Sequence, residues 1–175
     1  GNRSLPIVSV PAEQAKEQPA YLLTVRLHNQ RSLRSAEQRQ AIEDALAMAQ
    51  EVCALYPGLA VAVQERGLAL LISKAQTDGL TAVYASLLLQ HLLREYETLG
   101  EFRCHLCHVI SPKDPAEITA MAVDAIEEIT NLEQNLTLAS LAKAETALMT
   151  AEVFTDLNAE QREWAQEFTH PILED

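Results

Sequence analysis

LAVAVQERGLALLIS, residues 59–73, decides the architecture of this chain. Two apolar runs, Leu59 to Val63 and Leu68 to Ser73, flank the turn Gln64-Glu65-Arg66-Gly67. Runs of this length read as strands, and a short Gly-containing turn between them makes a β-hairpin. Upstream, Ser35 opens a helix: Ser-Ala-Glu-Gln has the form of a capping box, and Ile42, Ala45, Leu46, Ala49 and Cys53 follow at helical spacing until Pro57-Gly58. Before that helix, in YLLTVRLHN (residues 21–29), Leu23, Val25 and Leu27 alternate with Thr24 and Arg26, which is a strand pattern. Downstream of the hairpin, Asp78-Gly79 precedes a helix that is apolar at Leu80, Val83, Leu87, Leu88, His91, Leu92 and Tyr96 and is closed by Gly100. FRCHLCHVI (residues 102–110) is another strand, stopped by Ser111-Pro112.

The order is therefore strand, helix, strand, strand, helix, strand. This is the ferredoxin-like βαββαβ arrangement, an α+β antiparallel sheet with helices on one face and the hairpin in its middle. A helical pattern resumes from Pro115 to about Leu141, with Ile118, Met121, Ala122, Ala125, Ile126, Ile129 and Leu132 on one face. TALMTAEVF (residues 146–154) follows as a short strand and brief helix, and Asn158 caps a last helix to Phe168. The expected division is a linker at 1–19, carrying three prolines, an α+β domain at 20–157, and a C-terminal helix and tail at 158–175.

The net charge of −12 lies wholly in the last third. Residues 1–113 hold eleven acidic and eleven basic side chains, whereas 114–175 hold fourteen and two. An acidic half repels phosphate backbones, so nucleic acid is not an expected partner, and a solvated acidic face is the simpler reading. No apolar run approaches the ~18 residues of a membrane helix, and the N-terminus lacks a basic start followed by an apolar stretch. A membrane connection is expected only through segments outside this chain, which starts with Gly and reads as a piece of something longer. Three cysteines, Cys53, Cys104 and Cys107, are no disulfide framework and suit a reducing, cytoplasmic compartment.

Leu138-Ala-Ser-Leu-Ala-Lys-Ala-Glu-Thr-Ala-Leu-Met-Thr-Ala-Glu-Val-Phe154 resembles the RLESLAKPGEILISEEVY run of class III nucleotide cyclases, including its Leu-Ala-Lys and its final Glu-Val-aromatic. With the element order, the resemblance spans residues 21–157. It implies a nucleotide-cyclase-like fold and dimerisation, since cyclase sites form between two protomers. GGDEF-type domains, with a related core, are the nearest alternative: their GGDEFALLL hairpin aligns with Gln64 to Ile72.

Cyclases of this type need two carboxylates, because two divalent metals bridge the triphosphate and lower the pKa of the attacking hydroxyl. The resemblance places Arg26 at the first of these positions and Arg66 at the second; a one-residue slip puts Glu65 there instead. The family's ribose-binding Asn and transition-state Arg fall on Glu133 and Thr137, with Asn131 or Asn135 reached only by a shift. No catalytic residue, metal or cofactor is expected. Two arginines at one cleft repel Mg²⁺ and suit an anion, so Arg26, Arg66 and Glu65 form the candidate site for a phosphate or nucleotide. The alternative is that each arginine pairs with a neighbouring Glu or points to solvent.

Cys104-His105-Leu106-Cys107-His108 matches the C-x-x-C-H pattern of covalent haem attachment. On a strand, however, Cys104, Leu106 and His108 share one face and His105 and Cys107 the other, which sets the thiols apart and disfavours haem or zinc. His91 is expected in a core or interface, and Trp164 docked on the domain itself. No P-loop, dinucleotide fingerprint or nucleophile elbow is present. The leading expectation is a non-catalytic, cyclase-like regulatory and dimerisation domain of a bacterial signalling protein, acting as a homodimer. A metal-independent nucleotide or anion sensor is the first alternative, and a redox domain using Cys104, Cys107 and His108 the second.

Overall fold

The computed structural model describes residues 18–56, 58–96, 99–111, 126, 131–146 and 148–168. Strand β1 (Gln18–Leu27) leads through a 3₁₀ turn to helix α1 (Ser35–Leu55). The hairpin β2 (Gly58–Val63) and β3 (Gly67–Ser73) follows, then α2 (Gly79–Glu95) and β4 (Phe102–Ser111). Helix α3 (Leu132–Ala139), β5 (Leu148–Met149), α4 (Ala151–Thr155) and α5 (Ala159–Phe168) complete the described chain. The expected linker lies outside the described residues as far as residue 17, and β1 starts two residues ahead of the expected domain boundary. Most of the helical pattern from Pro115 lies outside them too, although Ile126 is helical and buried.

The sheet order is β2-β3-β1-β4-β5. Neighbours run antiparallel except β5, which adds to β4 in parallel through His105↔Leu148 and Leu106↔Met149. The first four strands are the ferredoxin-like set. The hairpin does not sit in the middle: β1 inserts between β3 and β4, which leaves β2 at the edge.

β1 reads Tyr-Leu-Leu-Thr-Val and is buried on both faces, which explains its consecutive apolar residues. Tyr21, Leu23, Val25 and Leu27 meet Leu68, Leu70, Ile72, Cys104 and Leu106 under α1 and α2. The opposite face is also filled: Leu22, Ala69, Leu71 and Cys107 pack against Leu132 and Leu136 of α3 and against Ile126.

Two local readings shift. The cap of α1 is Arg34 rather than Ser35, because Glu37 accepts from the Arg34 backbone N–H at 2.9 Å while Gln38 instead donates to Gln30 and Leu33 carbonyls. In α2 the buried stripe is Ala82, Val83, Ala85, Ser86, Leu89, Gln90 and Leu93, so His91 is exposed, its Nδ1 3.3 Å from Arg94 Nη2. The helix is apolar on two sides. The small residues Ala82, Ala85 and Ser86 permit close approach to the sheet, and that selects the buried side. Gly100 is no helix cap: α2 ends at Glu95, and a Cβ at position 100 would meet Leu27 and the Phe102 ring within 2.9 Å. Trp164 does dock at home, with its ring 5.1 Å from that of Tyr84. Among the described residues no helix is long and apolar enough to cross a membrane.

Candidate functional site

The hairpin turn brings the predicted residues together. Gln64, not a glycine, takes the left-handed position at φ 50°, and Arg66 N–H closes the turn on the Val63 carbonyl at 3.0 Å. Gly67 is required for a different reason: a Cβ there would sit 2.0 Å from the Val25 carbonyl oxygen. That bare backbone lets β3 lie against β1 with Arg26 opposite Gly67, while Leu27 N–H donates to the Arg66 carbonyl at 2.8 Å. Arg26 and Arg66 therefore share one end of the sheet.

Arg66 is three-quarters buried, and its guanidinium is held by Glu133 of α3 rather than by Glu65. Glu133 is the residue that the cyclase resemblance sets at the ribose-binding position, and here it reaches the hairpin of its own chain. Glu65 makes no ion pair among the described residues and contributes only as a half-buried neighbour. Thr137 back-bonds to the Glu133 carbonyl at 3.0 Å. Asn135 is tied into the sheet face: its carbonyl accepts from Thr24 Oγ1 at 3.1 Å, and its side chain lies 3.7 Å from Cys107 Sγ.

A residue that sequence reading missed completes the group. Arg103 of β4 stands directly opposite Arg26. Its neighbours Phe102 and Cys104 point into the helix-covered core, so Arg103 and Arg26 share the other face. Neither forms an ion pair among the described residues. Like charges directly across a strand pair are unfavourable, and an anion between them removes that cost. Only the register between β1 and β4 reveals this pair, since 77 positions separate the two arginines in sequence. Guanidinium groups are cationic and do not ligate divalent metal ions. Among the described residues no three His, Cys, Asp or Glu side chains converge to hold one.

The C-x-x-C-H segment is dispersed as the strand alternation requires. Cys104 lies in the helix-covered core, its thiol pushed up to about 12 by burial, and Cys107 lies under α3 on the other face. His108 lies between two carboxylates, with Nδ1 2.9 Å from Glu152 and Nε2 2.7 Å from Asp156. Burial works to raise the Asp156 pKa, but hydrogen bonds from Tyr21, His108 and Lys74 outweigh it and hold the carboxyl below its ordinary range. This cluster ties α4 to β1 and β4 and engages neither cysteine.

No protein-family profile and no curated protein matches the chain. Solved structures do. The guanylyl cyclase Cya2 superposes with a TM-score of 0.57 at 14% identity, covering 81% of this chain and 79% of that one. The monomeric guanylyl cyclase domain of the RhoGC fusion protein from the aquatic fungus Blastocladiella emersonii gives 0.56 at 9% identity, over 80% and 85%. The adenylyl cyclase CyaB from P. aeruginosa gives 0.50 at 13% identity, over 80% and 79%. The chain has the class III cyclase fold. Glu145 takes a left-handed backbone, φ 64°, at the position where the quoted family run has the Gly of Lys-Pro-Gly-Glu.

Proposed function

We propose that this domain is a cyclase-like signalling module of a bacterial protein that regulates and dimerises rather than cyclises nucleotides. One observation supports the reading: Arg26 and Arg66, which the sequence resemblance aligns with the family's two carboxylates, share one end of the sheet, with Glu133 already bound to Arg66. A guanidinium cannot ligate Mg²⁺, and its positive charge raises the local cost of bringing one in. Homodimerisation is supported by the fold, because the Blastocladiella domain is known in a dimeric as well as a monomeric crystal form. Incubating the protein with ATP or GTP and Mg²⁺ or Mn²⁺ is expected to yield no cyclic nucleotide, and clear production of one overturns the proposal.

The opposition of Arg26 and Arg103 supports a second reading, a metal-independent anion or nucleotide sensor. Glu133 then competes with the ligand for Arg66. Because Glu133 is largely exposed, its pairing is worth at most about 1 kcal/mol, so Glu133→Gln is expected to tighten nucleotide binding up to about fivefold. Arg66→Ala is expected to weaken it. Calorimetric titration with ATP and GTP reads both, and absence of heat with either nucleotide for the wild type leaves the scaffold reading alone.

A further inference from the structure

The sheet ends on two unlike edges. One is β5, only two residues long, with Leu148 and Met149 both buried and α4 starting directly after it. The other is β2, which pairs with β3 from Gly58↔Ile72 to Val63↔Gly67. Alternate residues of an antiparallel edge strand turn their N–H and C=O groups away from the neighbouring strand. Among the described residues no hydrogen bond reaches those outward groups of β2.

Open edges are commonly blunted by Lys, Glu, Pro or a β-bulge. Gly58-Leu-Ala-Val-Ala-Val63 has none of these: it holds no charge and no proline, and its register with β3 is uninterrupted. Its two faces are already used. Ala60 and Ala62 pack into the core under the helices, and Val61 and Val63 into the core on the other face. Leu59 belongs to neither core and is half-buried. Leu55, three residues before the strand at the end of α1, is 69% exposed. What β2 leaves unsatisfied is therefore a backbone edge beside an exposed apolar side chain.

Charge and symmetry select the occupant. Two copies of a chain with net charge −12 repel each other unless they meet away from the excess. β2 lies within residues 1–113, whose charges cancel, and carries none itself. Glu152 and Asp156 of α4 lie against His108 of β4. That strand is three spacings from β2, about 14 Å, which exceeds the Debye length of about 8 Å at physiological salt. In an antiparallel pairing about a two-fold axis β2 meets β2, so this edge is its own complement.

We propose that β2 of one copy pairs antiparallel with β2 of a second copy, which joins two five-stranded sheets into one continuous sheet. This contact supplies the surface for the homodimer proposed above and rests on that reading. The β5 edges, with their acidic α4 elements, then lie at opposite ends of the joined sheet.

The test combines light scattering after size exclusion with amide hydrogen exchange, both on the whole chain over a range of concentrations. The wild type is expected to reach twice the chain mass, and the outward-facing β2 amides are expected to gain protection as it does so. Leu59→Lys adds a charge at the edge without entering either core and is expected to weaken self-association about tenfold or more. Tyr96→Lys, at an exposed apolar residue closing α2, is expected to leave it unchanged. The exchange measurement needs no variant, so it decides the matter even if Leu59→Lys disturbs folding. A wild type that stays monomeric at high concentration overturns this proposal together with the homodimer reading. A dimer whose β2 amides gain no protection, or which Leu59→Lys weakens no more than Tyr96→Lys does, overturns the β2 contact alone and leaves the homodimer standing.

Discussion

Acidification from about pH 6.5 to about pH 4 is expected to weaken the fold by about 3 kcal/mol through one side chain, His105. The residue is fully buried on the sheet face under α3, and neither ring nitrogen has a partner. Thr24, directly opposite on β1, donates its hydroxyl to the His105 carbonyl at 3.3 Å and so leaves the ring unserved. Burial disfavours the imidazolium and pushes the His105 pKa down to about 4, against about 6.5 in an unfolded chain. Between those values the unfolded state binds the proton and the folded state does not. The contribution is therefore fully present above about pH 6.5 and is lost as the pH falls towards about 4. Urea unfolding across that range reads the loss directly. His105→Leu is expected to flatten the pH dependence and to raise stability at neutral pH by about 1–3 kcal/mol, because it removes two buried polar atoms that bond to nothing. An unchanged slope in the variant would refute the assignment.

Gly67→Ala is expected to destabilise the domain by about 3 kcal/mol or more, which is most of the stability of a small domain if it starts near the low end of the usual range. The added methyl would lie 2.0 Å from the Val25 carbonyl oxygen and 3.2 Å from Arg26 Cα, both backbone atoms within a paired strand. Neither can yield without moving β1 away from β3. The same shift would break the Leu27 N–H bond to the Arg66 carbonyl and separate the arginines it holds together. Glu65→Ala, two residues away in the turn, is expected to change stability by no more than about 0.5 kcal/mol. Comparing the two denaturation midpoints checks the argument. Equal and small effects would show that the β1–β3 contact is looser than the structure has it.

The two predictions rest on different kinds of information. The importance of Gly67 is half legible in the sequence, since a glycine in a hairpin turn signals a backbone constraint. The expected reason, turn geometry, is nevertheless displaced: Gln64 takes the left-handed position and Gly67 makes room for a neighbouring strand. His105 gives no such signal, because a strand pattern says which residues share a face and not whether a helix will cover it. Helix α2 shows the same limit. Its apolar residues occupy two sides, and contact with the sheet selected the one marked by small residues, leaving His91 in solvent.

The chain's local patterns dictate the strands, the helices, their ferredoxin-like order and the hairpin turn that carries Arg66. These follow from periods of two and 3.6 residues and from turn chemistry, all of which act over a few positions. The opposition of Arg26 and Arg103, the capture of Arg66 by Glu133 and the burial of His105 belong to the tertiary structure alone. Each joins side chains on separate elements, through strand register and through helices seated on both faces of the sheet. Register and seating are fixed by the packing of the whole core, so no short window of sequence encodes them.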